Sequence, residues 1–537
     1  MSTVPLPAHP SLDRLRRRAR ELQRDVRAGA PDAAERVRRQ HPDGVPEPAT
    51  AFGLSTAQLV VAREYGFASW PRLKRYVEFA AEHSWDLEPA GASPEDDAFR
   101  FCRLACLTYG HDDGPHRRSE ARALLAADPG LARTDVWTAA VAADAETVRR
   151  RLAAEPALAR RRGGPYRWTP LFYLAYSRLD PAPPGARSEL ASPAAPAQPA
   201  PPGARSELAS PAAPAQPAPP RDAVLGIARL LLDAGADPDE GYLWSGQPYP
   251  FTVLTGVFGE GELGPLRQPR HPHWRPLARL LLEAGADPND TQTFYNRMFN
   301  PDNDHLALLF EYGLGTGDGG PWRARMPDLL DTPAGSLRAQ LRWAVEHDFA
   351  DRVRLLAEHG VDVRSAYDDG RTPLELAELS GNAGIAAYLR AQGAAPATAD
   401  PVSELIAAAM RGDADAVARL RAGHPGVVDT ARRARPGLVV WAAGNGRAGV
   451  AALLLDLGFD VNARGRGDAP VEEEWETALH YAAARGDTGL AELLLARGAD
   501  PDARDARFHA TPLGWARYHH HEELVELLAP RTADTGD

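Results

Sequence analysis

Residues Trp475–Asp500 read WETALHYAAARGDTGLAELLLARGAD, and Asp369–Ala394 read DGRTPLELAELSGNAGIAAYLRAQGA. Laid on one another, the two stretches share a threonine, a leucine, paired small residues, a glycine-polar turn, a leucine-rich second segment and a closing Gly-Ala. Each shared element has a physical use. A threonine hydroxyl can cap a helix, and Thr372, Thr477 and Thr511 stand where a first helix begins. Pro170, Pro373 and Pro512 follow just inside, where a missing N–H costs nothing. The pairs Ala482–Ala483 and Ala442–Ala443 let two helices approach closely. Gly446 and Gly486 turn the chain, while Gly235, Gly285, Gly393, Gly458 and Gly498 end a second helix where a left-handed residue is needed. Within that helix Leu490, Leu493 and Leu494 fall at i, i+3 and i+4, a stripe that only a neighbouring copy can cover.

The spacing is that of a repeat: Gly360 to Gly393 is 33 residues and Thr477 to Thr511 is 34. In period and motif the pattern resembles the ankyrin repeat, with its Thr-Pro-Leu-His opening, Ala-Ala pair, Gly-polar turn and closing Gly-Ala-Asp. Further copies stand at Trp168–Asp237, at Phe251–Asp287, and from Leu341, Leu405, Val439 and Thr511, with degenerate ones near Arg103, Val136 and Thr291. About eleven repeats then cover most of Asp96–Ala529. The resemblance implies an all-α solenoid of stacked helix-turn-helix units with short β-hairpin or loop fingers. At 537 residues the chain exceeds what one compact core supports, which agrees with a linear array sharing stability between neighbours.

Several stretches break the period. Leu179–Pro220 splits one repeat between its helices and holds an 18-residue segment twice, Pro183–Ala200 and Pro201–Ala218; so rich in Pro, Ala and Ser, it is expected to be a flexible loop. Gly259–Trp274 is a second insertion between helices, and Arg464–Glu474 lengthens a finger. Ala394–Asp400 reads as a joint between two halves of the array. Before the repeats comes a basic helical pattern with Arg14, Arg16, Arg17, Arg18, Arg20, Arg24 and Arg27, then LSTAQLVVAREYGFASWPRLKRYVEFA from Leu54. The latter resembles a helical pair that precedes ankyrin arrays in bacterial proteins. Phe67, Trp70 and Leu73 are expected to pack on its partner helix or to cap the first repeat. The expected layout is a basic helical segment (1–48), a capping extension (49–93), degenerate repeats (94–178), the Pro/Ala-rich insertion (179–221), repeats with insertions (222–397), C-terminal repeats (398–529) and a disordered tail (530–537).

Composition narrows the function. A net charge of −12 argues against a surface that wraps nucleic acid. Cys102 and Cys106 are too few for a disulfide framework or a zinc site, and their spacing marks them as core packing. Met1–Leu12 lacks the apolar stretch of a secretion signal and no 18-residue apolar run occurs, so a cytoplasmic monomer with no membrane span is expected. Gly315, Gly317 and Gly320 match a dinucleotide-binding glycine pattern but follow a helical run rather than a strand. Arg466-Gly467-Asp468 has no meaning for adhesion inside a cell. His519, His520 and His521 splay by about 100° per residue on a helix and cannot converge on one metal. No nucleophile and base can be assigned by spacing, so neither catalysis nor a cofactor is expected. The alternatives are unrecognised chemistry in the N-terminal region, as a regulatory subunit or enzyme, or docking of the Arg-rich helix on an acidic partner or nucleic acid.

A protein partner is the expected ligand, because the ankyrin resemblance places binding at the finger tips and the exposed face of each first helix. Matching tip positions are Tyr166, Trp168, Asp368, Asp369, Arg371, Glu473, Glu474, Glu476, Arg507 and Phe508. First-helix positions are Glu346 and His347, Met410 and Arg411, Ala484 and Arg485, and Tyr518 and His519. By contrast, Tyr173, Trp343, Trp441, Tyr481 and Trp515 fall where each repeat faces the next and are read as packing, and His480 as a structural hydrogen-bonding residue.

Overall fold

The computed structural model describes residues 6–7, 9–41, 43–85, 96–179, 221–261, 263–395, 400–467 and 473–533. The duplicated Pro/Ala-rich segment, most of the Ala394–Asp400 stretch and residues 534–537 therefore lie outside the described residues. Two compact bodies divide between Leu337 and Arg338, not at the Ala-Pro stretch read as a joint.

The array is all-α, with eleven helix pairs among the described residues. Five pairs lie in the first body: Asp97–Ala105 with Pro115–Ala127, Val136–Ala142 with Ala145–Ala154, Pro170–Tyr176 with Arg221–Asp233, Val253–Phe258 with Trp274–Glu283, and Thr291–Met298 with Asp304–Glu311. The sixth pair starts at Pro333–Glu346 and continues with Ala350–Glu358. The second body then holds Pro373–Leu379 with Ala383–Ala391, Pro401–Met410 with Ala414–Gly423, Leu438–Gly444 with Ala448–Asp456, Ala478–Arg485 with Thr488–Ala496, and Pro512–Tyr518 with Glu522–Leu528. An additional helix, Val427–Ala434, follows the eighth pair.

The caps work as the residue types require. Thr372 and Glu375 exchange hydrogen bonds with each other's backbone N–H across the first turn, and Thr511 accepts from Gly514. Three second helices are capped by aspartates, Asp144, Asp413 and Asp487 each accepting from the N–H three residues on. Gly458 and Gly498 close second helices at φ +82° and +88°. Of the expected leucine stripe, Leu490 and Leu494 are buried, with Ala491 beside them, while Leu493 is half-buried. Cys102 and Cys106 are buried and free, and burial pushes the Cys106 thiol up to about 12.

In the first body the N-terminal extension forms four helices, Leu12–Arg27, Pro31–Gln40, Leu54–Glu64 and Trp70–His83. Leu15, Ala19, Leu22 and Val26 make one buried stripe of the first helix, against Phe52, Val60, Val61, Phe67 and Leu73. Its one buried carboxylate among the described residues, Glu64, is gripped by both ends of the Arg36 fork at 2.7 and 2.9 Å. The same core takes in Leu243, Trp322 and Met326, and strand Ser84–Trp85 pairs in parallel with strand Gly241–Trp244, itself hairpinned to Pro250–Thr252. The extension thus covers the finger between the third and fourth repeats rather than capping the first. A finger hairpin has one edge strand free, and Ser84–Trp85 satisfies it.

The Gly259–Trp274 insertion is held by ions. Arg297, fully buried, and Arg270, half-buried, converge on Glu260, Asp302 and Asp304, with Arg270 at 2.8 Å from Glu260. The start of the expected disordered tail is ordered: Ala529–Arg531 is a helical turn and Thr532 is buried, while residues 534–537 lie outside the described residues.

His480 ties the tenth repeat to the eleventh. Its Nδ1 meets the Thr477 hydroxyl at 2.8 Å and its Nε2 the Ala510 carbonyl at 3.1 Å, and burial pushes its pKa down to about 4. Between about 6.5, the unfolded value, and the folded value, the unfolded chain binds a proton that the folded site refuses, so stability falls as pH drops through that window. His480→Gln cannot titrate. Wild type should exceed it in unfolding free energy at pH 7 and lose about 2 kcal/mol of that margin by pH 5; chemical denaturation at both pH values measures this, and a margin independent of pH contradicts it.

Candidate functional site

Of the residues expected at exposed tips and first-helix faces, the structure gathers one group in the last two repeats and buries several others. The finger of the tenth repeat is a two-stranded ribbon, Arg464–Gly465 paired with Glu476–Thr477, with residues 468–472 outside the described residues. The finger of the eleventh, Asp505–Ala510, is shaped by one carboxylate. Asp505, 1% exposed, accepts from the backbone N–H of Arg507 at 2.8 Å, Phe508 at 2.5 Å and Ala510 at 3.0 Å, and from Trp515 Nε1 at 3.0 Å. Burial alone raises a carboxylate's pKa; here the donors outweigh it and the Asp505 pKa is lowered. With its backbone folded around that anion, the finger projects Arg507 and Phe508 outward.

A continuous strip results. Arg466 and Arg507 lie over the Trp475 ring, 3.9 and 4.5 Å from its centroid, and Arg507 also lies 5.2 Å from the Phe508 ring. Phe508 leads to Trp515 at 6.2 Å, Trp515 to His519 at 6.2 Å, and His519 to Tyr518 at 5.2 Å. Phe508 is 67% and Tyr518 60% exposed, the second and third largest exposures among the exposed large apolar side chains of the described residues. Charge borders the strip at the ribbon: Glu473 pairs with Arg466 at 3.1 Å and Glu474 is exposed, whereas exposed Arg485 donates to the Gly444 carbonyl of the ninth repeat. The strip can offer aromatic surface, guanidinium donors and a polar border at once, the composition of an interface centre with its rim.

Other expected positions are corrected. Tyr166 and Trp168 are buried at 6% and 0% exposure, because the bridge Gly163–Trp168 folds this finger back against Trp85 of the extension, 5.5 and 4.8 Å away. Glu476 is fully buried under Arg507 and the Tyr481 hydroxyl, the latter at 2.9 Å. Glu346 is buried beside Arg342, and burial pushes its pKa up to about 7. His347 stacks on Trp343 at 3.7 Å and meets Trp441 edge-on at 5.4 Å, and Met410 is buried. Asp368 and Asp369 are exposed, the latter paired with Arg342 at 3.0 Å; Arg371 is half-buried and Arg411 exposed, both well away in sequence from the last two fingers. Sequence reasoning missed Arg466, set aside with a meaningless tripeptide, and Trp475, which directly precedes the paired strand. It assigned Trp515 wholly to packing, whereas Trp515 is half-buried and joins the strip.

Elsewhere, the Arg-rich first helix is largely occupied within its own body: Arg18 donates to the Tyr65 hydroxyl, Arg27 to the Phe52 carbonyl, and Arg16 and Arg24 pair with Asp13 and Asp25. Asp302, Asp304 and His305 lie close enough to hold a cation, but both carboxylates are already engaged by Arg270 and Arg297. No helix among the described residues is long and apolar enough to cross a membrane.

The family model described as ankyrin repeats (3 copies) matches residues 405–505 and 468–537, a range that contains the whole strip. No curated protein matches the chain.

Two substitutions separate core from surface here. Trp168→Ala should destabilise the first body by about 3–5 kcal/mol, as loss of a fully buried indole does. Asp505→Ala leaves four donors facing a methyl group and should cost about 2–4 kcal/mol. Denaturant titration of each variant checks both, and a change under 1 kcal/mol at either site would refute its burial.

Proposed function

Because this chain is an ankyrin-repeat protein, we propose that it is a binding scaffold that docks a protein partner on the finger tips and first-helix face of its last two repeats, without chemistry of its own. Ankyrin repeats are in general protein–protein interaction modules, and the observation that carries the assignment to this surface is the Arg466–Trp475–Arg507–Phe508 stack continuing to Tyr518. Aromatic rings held rigidly lose little entropy on binding, and Asp505 holds this finger before any partner arrives. Arginine stacked on tryptophan offers a partner a flat cationic face held in place by its ion pair, Arg466 with Glu473 and Arg507 with Glu476. Interface hot spots are enriched in Trp, Tyr and Arg, and a border such as Glu473 and Glu474 excludes water around them. The net charge of −12 favours a protein over nucleic acid, and the free, buried Cys102 and Cys106 accord with a reducing cytoplasm.

The native partner, isolated by crosslinking, should bind the double variant Phe508→Ala/Tyr518→Ala at least tenfold more weakly, since truncating exposed anchors costs more than about 1 kcal/mol each. Both side chains are largely exposed, so the melting temperature should stay unchanged. Surface plasmon resonance against immobilised partner gives the answer, and an unchanged affinity would exclude this surface.

A further inference from the structure

Glu346 is the last residue of the first helix of the sixth repeat, at the end where a helix gathers its unpaired carbonyls. Its side chain is 5% exposed. Among the described residues one group alone hydrogen-bonds the carboxylate: Arg342, one turn earlier, through Nε at 3.0 Å. The same guanidinium reaches the finger of the seventh repeat, where its Nη1 pairs with Asp369 at 3.0 Å. Two carboxylates from two repeats therefore share one arginine. A buried carboxylate beside helix C-terminal carbonyls, with a counter-ion that a second acid also claims, holds a proton more tightly than one in water. Burial pushes the Glu346 pKa up to about 7, with Asp369 adding to the rise and Arg342 and Arg371 opposing it.

The surroundings decide where that proton is felt. The Tyr367 ring lies under both Arg338 and Arg342, whose Cζ atoms are 4.2 and 5.2 Å from its centroid, so a shift of Arg342 is felt at this ring. Tyr367 also shapes the finger: its N–H donates to the Arg371 carbonyl and its carbonyl accepts from the Gly370 N–H, both at 2.8 Å. Asp369 accepts from the Arg371 N–H at 3.1 Å. On the other side stands a neutral group, Asn382, whose Nδ2 donates to the Val345 and Glu346 carbonyls at 2.7 and 3.2 Å and pins the helix end. His347 and Asp348 follow in sequence, but the histidine stacks on Trp343 at 3.7 Å and the aspartate interacts with Arg447.

We propose that Glu346 is a proton switch for the finger of the seventh repeat, with Arg342 as its moving arm. When the carboxylate is ionised, Arg342 divides between Glu346 and Asp369, and the three groups carry one net negative charge. A proton taken from solvent onto a Glu346 carboxylate oxygen removes one of the two claims on the guanidinium. Arg342 then pairs with Asp369 alone, and the finger, whose Asp368 and Asp369 are exposed, loses a negative charge beneath it. What the finger offers to a partner thus depends on pH. The switch lies outside the strip of the last two repeats and works whether or not that strip binds anything.

The test is fluorine NMR of the full-length chain with 4-fluorophenylalanine, which does not itself titrate, in place of Tyr367. Its resonance should move across neutral pH along one titration curve with a midpoint at about 7. Glu346→Gln, which resembles the protonated side chain, should hold the resonance at its acid limit at every pH. Asp369→Asn should lower the midpoint by about one pH unit, because the competing carboxylate is gone and Arg342 returns to Glu346. His347→Gln should leave the curve in place. Asp369 is exposed, so its variant keeps the test decisive even where Glu346→Gln perturbs packing. A resonance that does not titrate, a curve that survives Glu346→Gln, or a midpoint that Asp369→Asn leaves unmoved or raises overturns the proposal. Loss of the curve in His347→Gln does so too, since the histidine would then be the titrating group.

Discussion

A helix pair of this chain cannot keep its own second-helix stripe from water. Leu490 and Leu494 are buried only because another repeat lies against them, and each buried leucine contributes about 1.5–3 kcal/mol that an isolated repeat would forgo. Stability therefore belongs to interfaces between neighbours, and what closes the ends of the stack matters as much as its middle. At the C-terminus, Leu524 and Leu528 are closed over by the turn Ala529–Arg531, with the Thr532 hydroxyl donating to the Leu528 carbonyl at 3.0 Å. In the first body the extension does a related job on a finger, adding strand Ser84–Trp85 and sharing its core with Leu243, Trp322 and Met326.

That division of labour explains what could be read from sequence. Caps, glycine turns and the i, i+3, i+4 leucine stripe are local devices whose residues must stand at fixed spacing, so the helix pairs were legible, including the degenerate ones at Arg103, Val136 and Thr291. The aromatic row read as packing behaves so at Tyr173 and Trp441, both buried. The fingers were not legible in the same way. Whether a tip residue faces water depends on which distant segment lies over it, and no spacing rule announces that Trp85 will cover Tyr166 and Trp168, or that Arg507 will seal Glu476. Glu346 was misread for a related reason: its helical position is that of an exposed face, but Arg342 and the finger carrying Asp369 close over it.

Within the last two repeats the same reasoning runs the other way. Asp505 folds a finger around its carboxylate, and the residues expelled from that turn are an arginine and a phenylalanine. Trp475, caught between Arg466 and Arg507, links that finger to the ribbon of the repeat before it. A rigid finger with its apolar ring in water carries a standing cost that a partner's surface would remove.

The central claim is that the finger strip of the tenth and eleventh repeats is the face that meets a protein partner. Its most direct test is site-specific photocrosslinking in the native cell, with a photoreactive phenylalanine analogue placed at Phe508 and, as a control, at Leu266, which is 74% exposed in the first body. The account predicts one discrete crosslinked protein from position 508 and none in common from position 266. Equal crosslinking from both positions, or a discrete product from 266 alone, would contradict it.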